Sequence, residues 1–438
     1  MVTEVPGSPV GTADEVEAPR FYFGYYLVGA AFIAQFVSVG AQNYIIGVFL
    51  TPMTADLGWT RPEFVIARTI GQVAMAVIGL FIGGYVDRAG GRRLMTIGTV
   101  ILGASLFAMS YVQDLWQWWL LNGIALTVGS AMVGNLVVNI TLSKWFVEKR
   151  GRMIGTASMG VSSAGVVLPF LMTGVVEEWG WRAGWRFASI GAMVLLFPIA
   201  ALMRRAPEDY GLNPDGLTAS QIAAGGGKLA QADFAHSITR RQALRMPQFY
   251  LLVLAFGMFT VSITVMLINT IPFMEDAGYS SQRASLMITV TSIPALVSKP
   301  IWGIFMDRAE PKRLVSFSAT ATGGALMLIV YSVSAGIEWL VPISFVLLGS
   351  GWGGLIPLQE TTWASYFGRR YIGAVRSAGL PFSIALGALG PLVANFYYDA
   401  VGNYNGAFIT VGISCLVSAV LILFVRRPDR SAFGAPPA

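Results

Sequence analysis

The sequence predicts an all-α polytopic membrane protein with 12 transmembrane helices arranged as two pseudo-symmetric six-helix bundles. Three observations carry this. Of the 438 residues, 12% are charged and 55% are apolar, and an average soluble protein carries about twice that charge fraction. Apolar runs of roughly 20 residues, enough for a helix to cross the hydrocarbon core, recur along the chain. A charged loop sequence occurs twice, half a chain apart. A cytosolic enzyme, a disordered protein and a nucleic-acid binder are excluded, because this composition cannot supply a polar skin. Spanning strands would be about half as long and alternate in polarity, and no such pattern is present.

Residues 1–21 are polar and acidic (Glu4, Asp14, Glu15, Glu17) and end near Arg20. A cleavable signal would begin basic and turn apolar, so this segment reads as a cytoplasmic tail. The first six spans are expected near 22–50, 65–85, 94–113, 116–143, 153–175 and 184–203. They form an N-terminal bundle over 22–203. The stretch 204–247, with Pro207, Pro214, Gly225, Gly226, Gly227 and the single His236, reads as a flexible cytoplasmic linker. The second six spans are expected near 248–273, 285–306, 314–335, 339–360, 371–397 and 405–425. They form a C-terminal bundle over 248–425, and 426–438 is a second cytoplasmic tail.

An even number of spans puts both termini on one side. With that side as the cytoplasm, 22 of the 29 Lys and Arg residues lie in its loops and tails, and four lie outside. Cytoplasmic loops collect basic residues, so the count orients the chain in an inner (plasma) membrane and accounts for the net charge of +6.

The halves repeat. Gly83-x-x-x-Asp87-Arg88-Ala89 with Arg92-Arg93-Leu94 aligns without a gap to Gly303-x-x-x-Asp307-Arg308-Ala309 with Lys312-Arg313-Leu314, at an offset of 220. Both copies join the second and third spans of their half. Such parallel repeats build transporters that rock around a central site. The glycines would let helix ends approach closely. The aspartates would accept hydrogen bonds from the neighbouring bundle, and the arginines would pair with acids across the interface. Asp87, Arg88, Arg92, Asp307 and Arg308 are therefore candidate gating residues.

At this level the chain resembles the major facilitator superfamily. Phe49-Leu50-Thr51-Pro52, Gly58-Trp59-Thr60-Arg61 with Glu63, Lys149-Arg150-Gly151-Arg152, Pro207-Glu208-Asp209-Tyr210-Gly211-Leu212 and Tyr366-Phe367-Gly368-Arg369-Arg370 are similar to its monocarboxylate and oxalate–formate porter branch. That resemblance implies transport of small organic acids, by proton symport or by anion exchange. It also implies a carboxylate-holding basic residue in the eighth span, where the family has Arg-Pro and this chain has Lys299-Pro300. Animal monocarboxylate carriers place an acid one turn earlier, where this chain has Ala295, and a base in the first span, which is missing here.

A charge at mid-bilayer costs roughly 2.5–3.5 kcal/mol on insertion scales, so each one needs a reason. Arg68, Lys299, Glu360 and Arg376 fall within the expected spans. Lys299 is either the anion-binding charge or a lysine that snorkels to the interface. Lysine gives a point charge without arginine's bidentate fork. Arg68 is a second anion contact, a funnel charge, or half of an outer pair with Glu63 or Asp56. Glu360 and Arg376 read as an inner-gate ion pair. Polar stripes mark the remaining candidates for substrate binding: Gln42, Asn43 and Tyr44 on the first span, Asn135 on the fourth, Asn269 on the seventh and Trp352 on the tenth. Interhelical hydrogen bonding is the competing role for these side chains.

The expected function is a secondary active transporter that moves a small organic anion, a monocarboxylate first, by alternating access. Its partners are the anion, a proton or counter-anion, and the lipid bilayer. It is read as a monomer with no cofactor, no metal and no nucleic-acid partner. The alternative is an exporter of a hydrophobic or cationic compound, which calls for an acidic counter-charge in the membrane. An enzyme is not expected, since one Cys, one His and no nucleophile–base set leave little catalytic chemistry.

Overall fold

The computed structural model describes residues 21–429. The expected tail over 1–20, with Arg20, and the end from Arg430 onward lie outside the described residues. The twelve long helices among the described residues are α1 (Gly24–Leu57), α2 (Arg61–Ala89), α3 (Arg92–Met109), α4 (Leu115–Trp145), α5 (150–179), α6 (181–202), α7 (Pro247–Asp276), α8 (Ser281–Met306), α9 (Pro311–Ser334), α10 (Leu340–Phe367), α11 (Ile372–Val401) and α12 (Asn405–Phe424). Helices α5 and α6 run on through 53 residues with one break, at Gly180, where φ 78° and ψ 166° reverse the chain. Glycine reaches that conformation without a Cβ clash.

Local signals start and stop these helices where the sequence places them. Thr60 and Glu63 form a capping box at the start of α2, with Pro62 in its first turn. The end of α1 differs from expectation. The helix continues past 50, through Pro52, to Leu57. The buried Phe49 ring stacks on Trp185 at 3.7 Å, and Trp185 Nε1 donates to Met53 Sδ, so packing against α6 carries α1 further.

Glycine contacts display the internal symmetry. In the first half, Gly160 of α5 meets Phe32 of α1, Gly103 of α3 meets Met193 of α6, and Gly98 of α3 meets Met132 of α4. In the second half, Gly257 of α7 meets Leu386 of α11, Gly323 of α9 meets Gly412 of α12, and Gly351 of α10 meets Thr322 of α9. The same helix pairs thus touch in each bundle. Between bundles, α2 packs on α11 and α5 on α8. Large apolar side chains such as Phe81, Phe170, Phe317, Phe396 and Phe424 stay exposed on the outside. A soluble monomer rarely tolerates so much exposed apolar surface.

The stretch expected to be a flexible linker is instead folded against the basic end, the end of the bundle that bears the Asp87 and Asp307 loops. It forms short helical pieces, including Pro207–Tyr210, Pro214–Gly216 and Lys228–Ala235. Asp215, at a φ of 59° that Asp tolerates better than most residues, accepts bonds from the amides of Val147 (3.0 Å), Glu148 (3.0 Å) and Lys149 (3.1 Å). Arg150 donates to Asp233 at 2.9 Å in a buried pair. On the other bundle, Arg369 pairs with Glu208 at 2.5 Å, and Ile238 N donates to Phe367 O at 2.8 Å. These partners lie 66–161 positions apart in sequence, so spacing does not reveal them.

Asp215→Ala is expected to orphan three amides near buried structure and to cost about 3 kcal/mol. Thermal unfolding of the purified protein checks this, and an unchanged transition would contradict the capping role.

Candidate functional site

The two Asp-Arg loops close the basic end, each against the opposite bundle. Asp87, at the end of α2, forms an ion pair with Lys144 of α4 at 2.9 Å and accepts from Ala374 N of α11 at 2.8 Å. Asp307, at the end of α8, accepts from Gly151 N (2.7 Å) and Arg152 N (3.2 Å) at the start of α5. Both aspartates therefore sit on helix N-termini, where free amides and the helix dipole favour a carboxylate. The arginines do not behave as expected. Arg88, Arg92 and Arg308 are exposed, and among the described residues none forms an ion pair; Arg88 Nε donates to Gly84 O of its own helix.

Glycine permits this closeness. A Cβ at Gly83 would lie 2.0 Å from Gly373 O, and one at Gly303 would lie 2.3 Å from Gly151 O. Ser377 Oγ accepts from Gly83 N at 3.0 Å in the same crossing. Glu360 and Arg376 meet at 3.2 Å, the arginine buried and the glutamate half-buried, with the guanidinium 5.7 Å from the Trp363 ring.

Asp307 lies just past the end of its span. Burial pushes its carboxyl up to about 6, although the Gly151 and Arg152 amides and the Arg152 charge pull it down; Asp215 adds to the rise. Released into water, a carboxyl returns to roughly 3.9. The docked state thus binds a proton more tightly, and its share should grow as pH falls from 7 through 6. Spin labels on Arg92→Cys and Arg313→Cys, in a Cys415→Ser background, measure it. Distances across the basic end should shorten on acidification, and lengthening would contradict the sign.

Lys299 is 4% exposed, at the interface of α8 and α5. Its Nζ donates to Ser158 O at 3.0 Å and to Ser162 Oγ at 2.5 Å, both on the opposite bundle. Among the described residues no carboxylate pairs with it. Snorkelling to the interface is not what the side chain does here. Arg68 is accessible, and its Nη2 donates to Asn43 Oδ1 at 3.4 Å. The outer pair considered for it does not form: Asp56 binds Arg182 at 2.7 Å, and Glu63 caps Thr60.

The other polar candidates divide. Gln42, Asn43 and Tyr44 lie in a π-helical turn of α1 (Gly40–Tyr44), which bulges the helix. Tyr44 packs against Gly165 of α5. Helix α4 breaks at Gly134, with ψ −161°, just before Asn135. Beside the break, Gln35 Nε2 donates to Asn139 Oδ1 at 3.2 Å, and Gln35 Oε1, Ser38 Oγ, Asn135 Oδ1 and Asn139 Nδ2 lie buried without partners among the described residues. Trp352 Nε1 donates to Ser262 Oγ at 3.1 Å, and Asn269 Nδ2 turns back to Val265 O of its own helix at 3.1 Å. The structure thus joins Arg68 to Asn43 and Glu360 to Arg376, and no direct bond is seen from Lys299 to the other substrate candidates. Lys144, Ser158, Ser162 and Ser377 are the site residues that sequence reasoning misses, and Arg152 enters it only within a family-like motif. The serines had one signal, position on α5 and α11, which the repeat makes equivalent.

Comparison with known proteins agrees with this architecture. The family model described as the Major Facilitator Superfamily matches residues 31–378 and again 263–437. The chain is 24% identical over 408 residues to the oxalate:formate antiporter of Oxalobacter formigenes, covering 92% of this chain and 91% of that one. It is 25% identical to the agnestins efflux protein AgnL12 of Paecilomyces divaricatus, with 91% and 86% covered, and 22% identical to monocarboxylate transporter 12-B of Danio rerio, with 76% and 72% covered. The fold is also that of the proton:xylose symporter XylE, with a TM-score of 0.72, 11% identity, and coverage of 93% and 97%. This chain is a polytopic membrane transport protein and belongs to the major facilitator superfamily.

Proposed function

We propose that the protein carries a small organic anion, most simply a monocarboxylate, by alternating access, with its basic end and both termini in the cytoplasm. One observation carries the reading: Lys299 is a buried ammonium whose seen partners are both neutral, Ser158 O and Ser162 Oγ. An uncompensated buried cation is costly, and an anionic cargo supplies the missing charge. By contrast, the Arg376 charge is already met by Glu360. The relatives support the same class, since two of them are named for oxalate, formate or monocarboxylates.

Lys299 also tells how cargo and gate communicate. It bonds across the bundles, two turns from Asp307 on the same helix and on the same α5 whose start Asp307 caps. A carboxylate that draws the ammonium away weakens the α5–α8 crossing and favours opening of the basic end. The anion moves either in exchange or with a proton. The unpaired polar atoms at the Gly134 break, with Arg68, Asn43 and Trp352, supply the remaining contacts of the pathway.

A thermal-shift panel of mono- and dicarboxylates on the purified protein, followed by uptake of the best ligand into proteoliposomes, tests the reading. Carboxylate-dependent stabilisation and saturable uptake are expected. The second reading, export of a larger hydrophobic compound, draws on the likeness to a fungal efflux protein. It predicts stabilisation by neutral or cationic compounds and none by carboxylates.

A further inference from the structure

We propose that the cavity at the basic end is a second anion site, separate from the transport pathway, that takes a doubly charged oxyanion of phosphate type and holds the transporter in the closed conformation seen here. The cavity has a volume of about 410 Å³ and lies between the two bundles and the folded connecting segment. The first bundle contributes Arg88 and Lys144, the connecting segment Arg205 and Glu208, and the second bundle Arg369 and Arg370.

The charges in its wall do not balance. Lys144 is met by Asp87, Arg205 by Asp209, and Arg369 by Glu208. Arg88 and Arg370 remain, with no acidic partner among the described residues. Their summed charge matches one dianion. Both are arginines, which bind oxyanions through planar, often paired N–H donors. The guanidinium of Arg370 lies 5.2 Å from the Phe234 ring and 5.2 Å from the Tyr371 ring, contacts that fix it at the cavity edge. Arg369 Nε is a further buried donor without a partner among the described residues.

The walls come from three bodies, so the site exists only while the basic end is closed. When α2 leaves α11, Arg88 separates from Arg370. A ligand that binds one conformation shifts the population toward it by its differential affinity. Occupancy from the basic end would therefore slow transport without competing for Lys299, whatever cargo Lys299 takes. The same chemistry could come from free phosphate or from an anionic lipid headgroup.

The test uses the full-length protein in neutral detergent at constant ionic strength, with inorganic phosphate replacing chloride. A saturable rise in Tm is expected, together with a shorter distance between spin labels on Arg92→Cys and Arg313→Cys. Arg370→Gln should weaken the apparent phosphate affinity about tenfold or more. Lys228→Gln, a basic residue elsewhere on the same segment, should leave it unchanged. Phe234→Leu removes the ring under Arg370 and should also weaken it; this variant decides the matter if Arg370→Gln does not fold. A rise absent with phosphate but present in nanodiscs containing phosphatidic acid, and lost in Arg370→Gln, assigns the site to a headgroup. No rise in either arm, or the same rise in all three variants, would overturn the proposal.

Discussion

Lys299→Ala is expected to weaken carboxylate binding at least tenfold while leaving the protein at least as stable as before. The two halves of that result have one cause. The ammonium is buried, and its seen partners are a carbonyl and a hydroxyl. Its desolvation is only partly offset, so deleting it removes a cost from the folded state. The same deletion takes away the charge that an anion would meet. A lost charge-assisted hydrogen bond at a desolvated site is worth about 1.5–3 kcal/mol, which lowers affinity roughly 10- to 150-fold. Calorimetric binding and thermal unfolding read the two quantities separately. Carboxylate affinity that survives in Lys299→Ala would sink the role given to this residue. Ser162→Ala should act in the opposite direction. It removes the 2.5 Å bond that holds Nζ, leaves the ammonium freer to meet an anion, and should tighten binding several-fold. Lys299→Arg keeps the charge and adds a fork, so it should retain binding with a changed ranking of carboxylates.

Gly83→Val should arrest transport through geometry alone. A Cβ there would meet Gly373 O and Ser377 Oγ, both at 2.0 Å. One of these atoms is backbone and cannot swing aside, so α2 must move away from α11. The contact joins the two bundles and lies outside either core, so each bundle should still fold. The clash needs only to exceed about 5.5 kcal/mol to turn a strongly closed basic end into a strongly open one. Spin labels across that end should report a longer distance, and uptake should fall to a few per cent of the parent. Gly29→Ala is the control, since nothing lies within 4 Å of a Cβ at that position. An unchanged distance in Gly83→Val would show that this crossing does not govern the gate.

Much of the architecture is legible in the sequence. The spans, their number and the repeat follow from hydrophobic run length and from one ungapped motif, both local properties. Helices that must bury their own backbone hydrogen bonds in lipid leave few alternatives. The candidate site was legible only in part. Glu360 and Arg376 could be paired because adjacent spans bring opposite charges to one depth. Polarity marks Asn269 as a pocket candidate, yet it bonds within its own helix. Arg88, Arg92 and Arg308 were expected to pair across the interface, and their aspartate neighbours make the crossings instead. A carboxylate at a helix end can be recognised from spacing, but which helix N-terminus it meets cannot.

The sequence by itself determined the class: twelve apolar helices, two related halves, and a lone basic residue in the eighth span. Composition and period suffice for that, because the bilayer reads hydrophobicity residue by residue. Only the tertiary structure decided what Lys299 touches, that the connecting segment is packed against both bundles, and that the basic end is the closed one. These depend on contacts between residues some 66 to 294 positions apart. Such contacts form where two surfaces fit, and no local pattern in the chain encodes the fit.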